Sequence, residues 1–244
     1  MSAALRIDVA DPLQAEVAAQ GFARLPGAAL EASLGLSPTA LAEFAGSWER
    51  LETDRFMADG GRYRRRRHAN FTARAGVAGH VRGPHRPHFQ AVVHNSLNGG
   101  VERWFAPVED AIGEGPVLHA LLDLGRSVAD ARAPGAHWFV EMHQFRIEAA
   151  AGAPGFPTPE GVHHDGVGYV LIGMMARTNL AGGETLVTDD AGAELARFTL
   201  LDRLDTAFID DRRVMHGVTP VRPVDPALPS CRDVLVITWK RAEG

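Results

Sequence analysis

The sequence predicts a mainly β fold with flanking helices, in which the strands form an antiparallel sandwich or barrel. Three observations support this. Short apolar runs recur between turn residues at 138–148, 168–176, 184–188, 194–199, 206–209, 214–218 and 233–239, a spacing typical of all-β architectures. The gaps between these runs are too short to hold crossover helices, which disfavours parallel βαβ units there. Helix-compatible apolar spacing is confined to the first half of the chain.

Over residues 12–51, Leu13 and Val17, then Leu41, Phe44 and Trp48, recur at helical spacing between prolines and glycines, so two or three helices are expected. Ser37-Pro38-Thr39 predicts a helix start, because serine caps the free N–H groups and proline is tolerated in the first turn. Residues 107–131, carrying Val117, Leu118, Leu121, Leu122 and Val128, predict a further helical segment. These helices are expected to cap a sheet. Asp189-Asp190-Ala191-Gly192 predicts a hairpin turn. The 244 residues show no repeat or long linker. They are read as one domain, 1–244, with a helical cap and supporting strands over 1–135 and the main strand-rich core over 136–244.

A net charge of −5 offers no electrostatic footprint for nucleic acid or an anionic membrane. No stretch approaches the length a membrane helix needs, and residues 1–13 lack the basic and apolar segments of a secretory signal. The single cysteine, Cys231, excludes an intramolecular disulfide and a cysteine-based zinc site, which fits a cytoplasmic protein. A homodimer is compatible with all of this. The run Arg62-Tyr63-Arg64-Arg65-Arg66-Arg67 is the local exception to the acidic balance. It reads as a solvated strand edge, or as a strand with Arg65 and Arg67, or Arg64 and Arg66, turned inward toward a substrate carboxylate.

The chemistry centres on Gly161-Val162-His163-His164-Asp165-Gly166, taken with Met215-His216-Gly217 about fifty residues later. Two histidines and a carboxylate on one face, with open positions opposite, form the facial triad of non-haem iron(II) oxygenases. Residues i and i+2 of an extended segment point the same way, so His163 and Asp165 are the expected partners of His216, and His164 points elsewhere. A His-x-Asp tripeptide alone is close to chance in a chain with 11 histidines, and its weight comes from the strand-rich setting. Downstream, Arg232 opens the strand Asp233-Val234-Leu235-Val236 and offers a planar cationic fork for the distal carboxylate of 2-oxoglutarate. Arg222 competes for that role, but Pro220 and Pro223 make it look like loop. Within 138–148, Met142, Gln144, Arg146 and Glu148 share one face and Phe139, His143, Phe145 and Ile147 the other. The polar face is expected to look inward, with Gln144 and Arg146 bonding cosubstrate or substrate.

With these segments in place, the chain resembles the bacterial 2-oxoglutarate/Fe(II) dioxygenases grouped with L-isoleucine 4-hydroxylase. Matching segments include Asp59-Gly60-Gly61-Arg62-Tyr63-Arg64, Asn98-Gly99-Gly100-Val101-Glu102-Arg103, His143-Gln144-Phe145-Arg146-Ile147, Pro159-Glu160-Gly161-Val162-His163-His164-Asp165-Gly166, Arg177-Thr178-Asn179-Leu180 and Asp210-Asp211-Arg212-Arg213-Val214-Met215-His216. The resemblance implies a double-stranded β-helix, or jelly roll, with iron at its mouth and a free aliphatic L-amino acid as substrate. It also implies His163, Asp165 and His216 as ligands and Arg232 as the 2-oxoglutarate anchor. His164 departs from the glutamine expected between the ligands, which bears on the substrate more than on the mechanism.

The expected cofactors are therefore Fe(II), 2-oxoglutarate and O2, with ascorbate assisting. The expected reaction is hydroxylation of an aliphatic C–H with release of succinate and CO2. Desaturation, cyclisation or sulfoxidation by the same machinery, and a non-catalytic jelly-roll binding protein, are the alternatives. A zinc hydrolase is disfavoured because no helix-borne His-Glu-x-x-His occurs.

Overall fold

Apolar faces on three N-terminal helices need a partner, and the sheet supplies it. In the computed structural model, which describes residues 9–57, 60, 62–93, 97 and 99–242, the chain opens with α1 (Ala10–Gln20), burying Leu13 and Val17. Gly21 ends it at φ +87°, donating its N–H to Val17 O in a left-handed cap that glycine adopts at least cost. β1 (Phe22–Leu25) and α2 (Gly27–Leu34) follow, then α3 (Pro38–Gly46), whose Ser37 side chain accepts from Ala40 N at 3.1 Å ahead of Pro38, as the sequence predicts. A short 3-10 turn (Ser47–Arg50) leads to β2 (Glu52–Thr53), β3 (Arg64–Ala73), β4 (Val81–Arg82), α4 (Asp110–Gly113) and α5 (Pro116–Arg132). Asp59, Gly61 and Asn98 of the family-like segments, and residues 1–8 of the N-terminal reading, lie outside the described residues.

The second half is β5 (Trp138–Ala149), β6 (Tyr169–Thr178), β7 (Leu180–Gly182), β8 (Thr185–Thr188), β9 (Glu194–Phe198), β10 (Thr206–Asp210), β11 (Met215–Val218), β12 (Val221–Pro223) and β13 (Ser230–Arg241). One antiparallel sheet runs β1-β10-β6-β13-β5-β3-β2, with β4 on β3, and smaller sheets β11-β8-β9 and β12-β7 complete a jelly roll. The strands foreseen in the second half are all present. The supporting strands expected in the first half are β1 to β4, and β3 pairs along its whole length with β5, from Arg64 opposite Ile147 to Ala73 opposite Trp138.

Alternation along β3, β5 and β13 separates two environments. Phe71, Val140, Met142, Leu235, Ile237 and Trp239 pack with α1, α3 and α5 in the larger apolar core. The opposite faces of the same strands, including Arg64, Arg66, Glu141, His143, Arg232 and Val234, line a cavity. Trp239 is fully buried against α5 at Gly125, where an added Cβ would stand 2.1 Å from the indole Cη2.

This contact reverses the usual sign of a glycine substitution. Helix propensity alone would make Gly125→Ala stabilising by up to about 1 kcal/mol. The overlap with Trp239 is expected to destabilise the variant by about 1–3 kcal/mol instead, read as a lower urea midpoint at unchanged m.

Candidate active site

Glycine turns flank the segment that carries His163 and Asp165, with Gly161 at φ +85° and Gly166 at φ +79°. Between them, His163 and His216 exchange both backbone hydrogen bonds at 3.0 Å, tying the segment to β11. The next residue, Gly217, leaves room for that approach, since a Cβ there would lie 3.0 Å from Val162 Cα. The bridge sets the two imidazoles with ring centroids 5.0 Å apart. Asp165 faces both, with His163 Nε2 to Oδ1 at 3.5 Å and His216 Nε2 to Oδ2 at 3.7 Å. His164 turns away, its Nε2 3.0 Å from Asp190 Oδ1 and its Nδ1 on the Asp211 carbonyl.

A buried carboxylate fixes this turn. Asp211 accepts from the N–H groups of Asp165 at 2.9 Å, Gly166 at 2.8 Å and Val167 at 3.0 Å. Burial, and then the charge of Asp165, push the Asp211 pKa up to about 6. In the sequence Asp211 is only part of a family-like segment. Its actual role is to hold the metal-facing turn, and Asp210 is the one that pairs with Arg212, at 2.9 Å. Burial disfavours the His163 cation, but hydrogen bonding to Asp165 and the charges of Asp165 and Glu160 outweigh it and raise its pKa to about 9. Burial lowers His216 to about 4. Asp165 is held below the usual carboxylate range because its histidine partners outweigh the cost of burying it.

These donors suit a divalent metal. Their ligand atoms lie within 4.8 Å of one another, and the Gly161 carbonyl 3.0 Å from His163 Nδ1 orients the ring so that Nε2 faces the carboxylate. Three donors leave the open positions that a bidentate oxo-acid and dioxygen require.

The triad opens into a cavity of about 700 Å³. Arg232 lines it at 2% exposure, and its Nε and Nη2 make no hydrogen bond. Burial lowers its pKa to about 10, aided by Arg177, so it stays cationic at neutral pH. A buried cation without a carboxylate is costly, which makes Arg232 a ready seat for an anion. Arg64 and Arg66 also turn inward, so the arginine run is neither a solvated edge nor an Arg65/Arg67 face. Asp54 lies 2.7 Å from Arg64 and 3.7 Å from Arg66. The Arg66 guanidinium packs 3.6 Å from the Phe105 centroid and donates to His143 Nδ1 at 2.8 Å. A second polar cluster, His68, His88, Glu141 and His143, lies beside it. There Glu141 accepts from His68 and His88, both at 2.9 Å, and these bonds join β3 and β5 to the segment before Gln90.

Gln144 and Arg146 do not reach the cavity. The two faces of β5 are divided as the alternation predicts, but the inward one carries Phe139, Glu141, His143, Phe145 and Ile147. Gln144 instead donates to Ser47 Oγ at 2.7 Å beneath the helical layer. Arg146 pairs with Asp233 at 2.7 Å and Glu49 at 2.6 Å. The helices claim the Val140 and Met142 face for the apolar core, and the polar residues that share its parity go with it. Arg222 lies on β12, away from the cavity lining. The sequence reading missed Arg103, Glu141, Glu160 and Gln90 as cavity residues. Gln90 Nε2 lies 3.1 Å from the Asp165 carbonyl. Arg103 and Glu160 fall inside family-like segments, which was the one available signal.

A family model described as 2OG-Fe dioxygenase matches residues 45–238. The chain is 26% identical over 165 residues to the 3(1)-hydroxy-L-isoleucine 4-dioxygenase of Pantoea ananatis, covering 66% of each chain. It is 24% identical over 160 residues to the L-isoleucine-4-hydroxylase of Bacillus thuringiensis, covering 64% of this chain and 66% of that one. The matches thus span just under two thirds of these relatives. Among solved structures, a bsmA homolog from Methylobium petroleophilum PM1 superposes with TM-score 0.86 at 40% identity, covering 95% of this chain and 93% of that one. The structure of IDO from Bacillus thuringiensis shares the fold, with TM-score 0.80 at 19% identity over 96% of this chain and 99% of that one. The chain belongs to the 2OG-Fe dioxygenase family, whose chemistry uses iron(II), 2-oxoglutarate and dioxygen.

Proposed function

We propose that this protein is a 2-oxoglutarate- and iron(II)-dependent dioxygenase that hydroxylates an aliphatic C–H of a free L-amino acid or a similar small molecule, releasing succinate and CO2. The observation that carries the reading is the convergence of His163, Asp165 and His216 in the same cavity as the unpartnered guanidinium of Arg232. The names of the two curated relatives support the substrate class.

In this reading His163, Asp165 and His216 hold iron(II), which with its cosubstrates supplies the oxidant that turns C–H into C–OH. Arg232 takes the distal carboxylate of 2-oxoglutarate and fixes its orientation through two parallel N–H donors. Asp211 and the His163–His216 bridge fix the positions of the side chains that would hold the metal. Ile172, Val218, Val234 and Val236 give the cavity apolar walls that exclude water from the reacting carbon.

The direct test is incubation with iron(II), ascorbate, 2-oxoglutarate and a panel of free amino acids, monitored for a mass gain of one oxygen. A product matched by succinate is expected, and Asp165→Ala should abolish both. Turnover of 2-oxoglutarate at the wild-type rate in that variant would sink the ligand assignment, and no oxygen-dependent turnover in the wild type would point to a binding protein. Arg232→Met is expected to raise KM for 2-oxoglutarate by about 10- to 100-fold with little change in KM for the amino acid. Asp211→Ala should weaken metal affinity by about 10- to 100-fold while the far-ultraviolet spectrum stays native. Equilibrium dialysis against manganese(II) measures that loss.

A further inference from the structure

The cavity holds more unpaired charge than the cosubstrate can use. Arg64 and Arg66 have Asp54, and Arg232 faces the distal carboxylate under the reading above. Arg103 is left over. Its side chain is 2% exposed, its Nε and Nη2 make no hydrogen bond, and among the described residues no carboxylate forms an ion pair with it. Its backbone is fixed, because Arg103 and His88 exchange two hydrogen bonds of 3.0 Å. The Phe105 ring, 5.7 Å from the guanidinium carbon, provides an aromatic wall beside it. On the metal side of the same cavity, Glu160 Oε2 is buried with no donor, while Oε1 lies 3.6 Å from His163 Nε2.

Arg103 and Glu160 face one cavity and form no ion pair with each other, and each keeps buried polar atoms without a hydrogen bond, a cost that one ligand carrying the opposite charges would relieve at both. We propose that Arg103 and Glu160 form a clamp for a zwitterionic α-amino acid, with Arg103 taking the carboxylate and Glu160 the ammonium. The clamp rests on the proposed activity, and it assigns to two residues the recognition of the substrate's polar end. The aliphatic side chain is then left to the apolar walls. A carboxylic acid without the amine leaves Glu160 unpaired, and an amine without the carboxylate leaves Arg103 unpaired. Selectivity therefore comes from the cost of a buried charge left without a partner.

The test is anaerobic calorimetry on protein loaded with manganese(II) and 2-oxoglutarate. The probes are L-isoleucine, L-leucine, L-valine and L-methionine, each with the deamino acid and the decarboxylated amine of the same skeleton. At least one amino acid should bind, and its two analogues should bind about 10- to 100-fold more weakly. Arg103→Met is expected to weaken the amino acid and the deamino acid but not the amine. Glu160→Gln should weaken the amino acid and the amine but not the deamino acid. Affinity for 2-oxoglutarate should stay at its wild-type value in both variants and that for manganese(II) in Arg103→Met, while Glu160→Gln, whose carboxylate lies 3.6 Å from His163 Nε2, is titrated at saturating manganese(II). If no amino acid binds the wild type, the substrate-class reading fails and the clamp fails with it. Amino-acid binding that both variants leave intact, or variants that weaken every probe and the metal alike, would overturn the clamp alone.

Discussion

The site depends on a single antiparallel bridge. His163 and His216 lie about fifty residues apart in sequence, and two backbone hydrogen bonds of 3.0 Å set their separation, with Thr158 Oγ1 bonding both the N–H and the carbonyl of Val218 beside them. Backbone bonds do this better than side-chain bonds because they fix the direction of both Cβ atoms at once. The neighbouring residues answer to the same constraint. Gly217 is small because Val162 lies against it, and Asp211 gathers three N–H groups that the turn cannot satisfy internally. The turn's geometry would otherwise leave those donors buried and unpaired.

The same sheet also separates solvent-like chemistry from the apolar core, and alternation is the means. Each of β3, β5 and β13 gives one face to the helices and the other to the cavity. A polar residue therefore enters the cavity or the helix interface by parity alone. Arg64, Arg66 and His68 go one way, and Ala69, Phe71 and Ala73 go the other. This explains why β3 can be rich in arginine and yet buried. Its charged face is covered by aromatic rings and by Asp54.

Much of this was legible in the sequence. The strand-rich second half followed from apolar runs and turn residues, and the Ser37-Pro38 helix start followed from capping chemistry. The approach of His163 and Asp165 followed from an i, i+2 spacing. Parity on β5 was legible as well, but not which face looks inward, since that depends on where the helices pack. The polar face was expected inside. The apolar demand of α1, α3 and α5 took Val140 and Met142, and carried Gln144 and Arg146 outward with them. Asp211 was not legible, because it acts through neighbours far away in sequence, and for Arg103 and Glu160 the family-like segments around them were the one signal. Asp211 closes on a turn more than forty residues earlier, and nothing local distinguishes it from Asp210 beside it.

The balance of charge in the cavity sets the kind of molecule it can hold. The buried cations Arg64, Arg66, Arg103 and Arg232 face it, and among the described residues Asp54 is the one carboxylate at ion-pair distance from any of them. A neutral ligand would leave that excess uncompensated, at a cost that low-dielectric surroundings magnify. A dicarboxylate cosubstrate removes part of it, and ligation of Asp165 to a dication consumes that carboxylate's charge and leaves none to spare for the arginines. Among the buried groups described, that leaves Arg103 with no ion-pair partner and Glu160 with one carboxylate oxygen that accepts no hydrogen bond. The cavity is therefore electrostatically incomplete in two places of opposite sign, and that pattern favours a small molecule with separated charges over a monoanion, a dianion or an uncharged hydrocarbon.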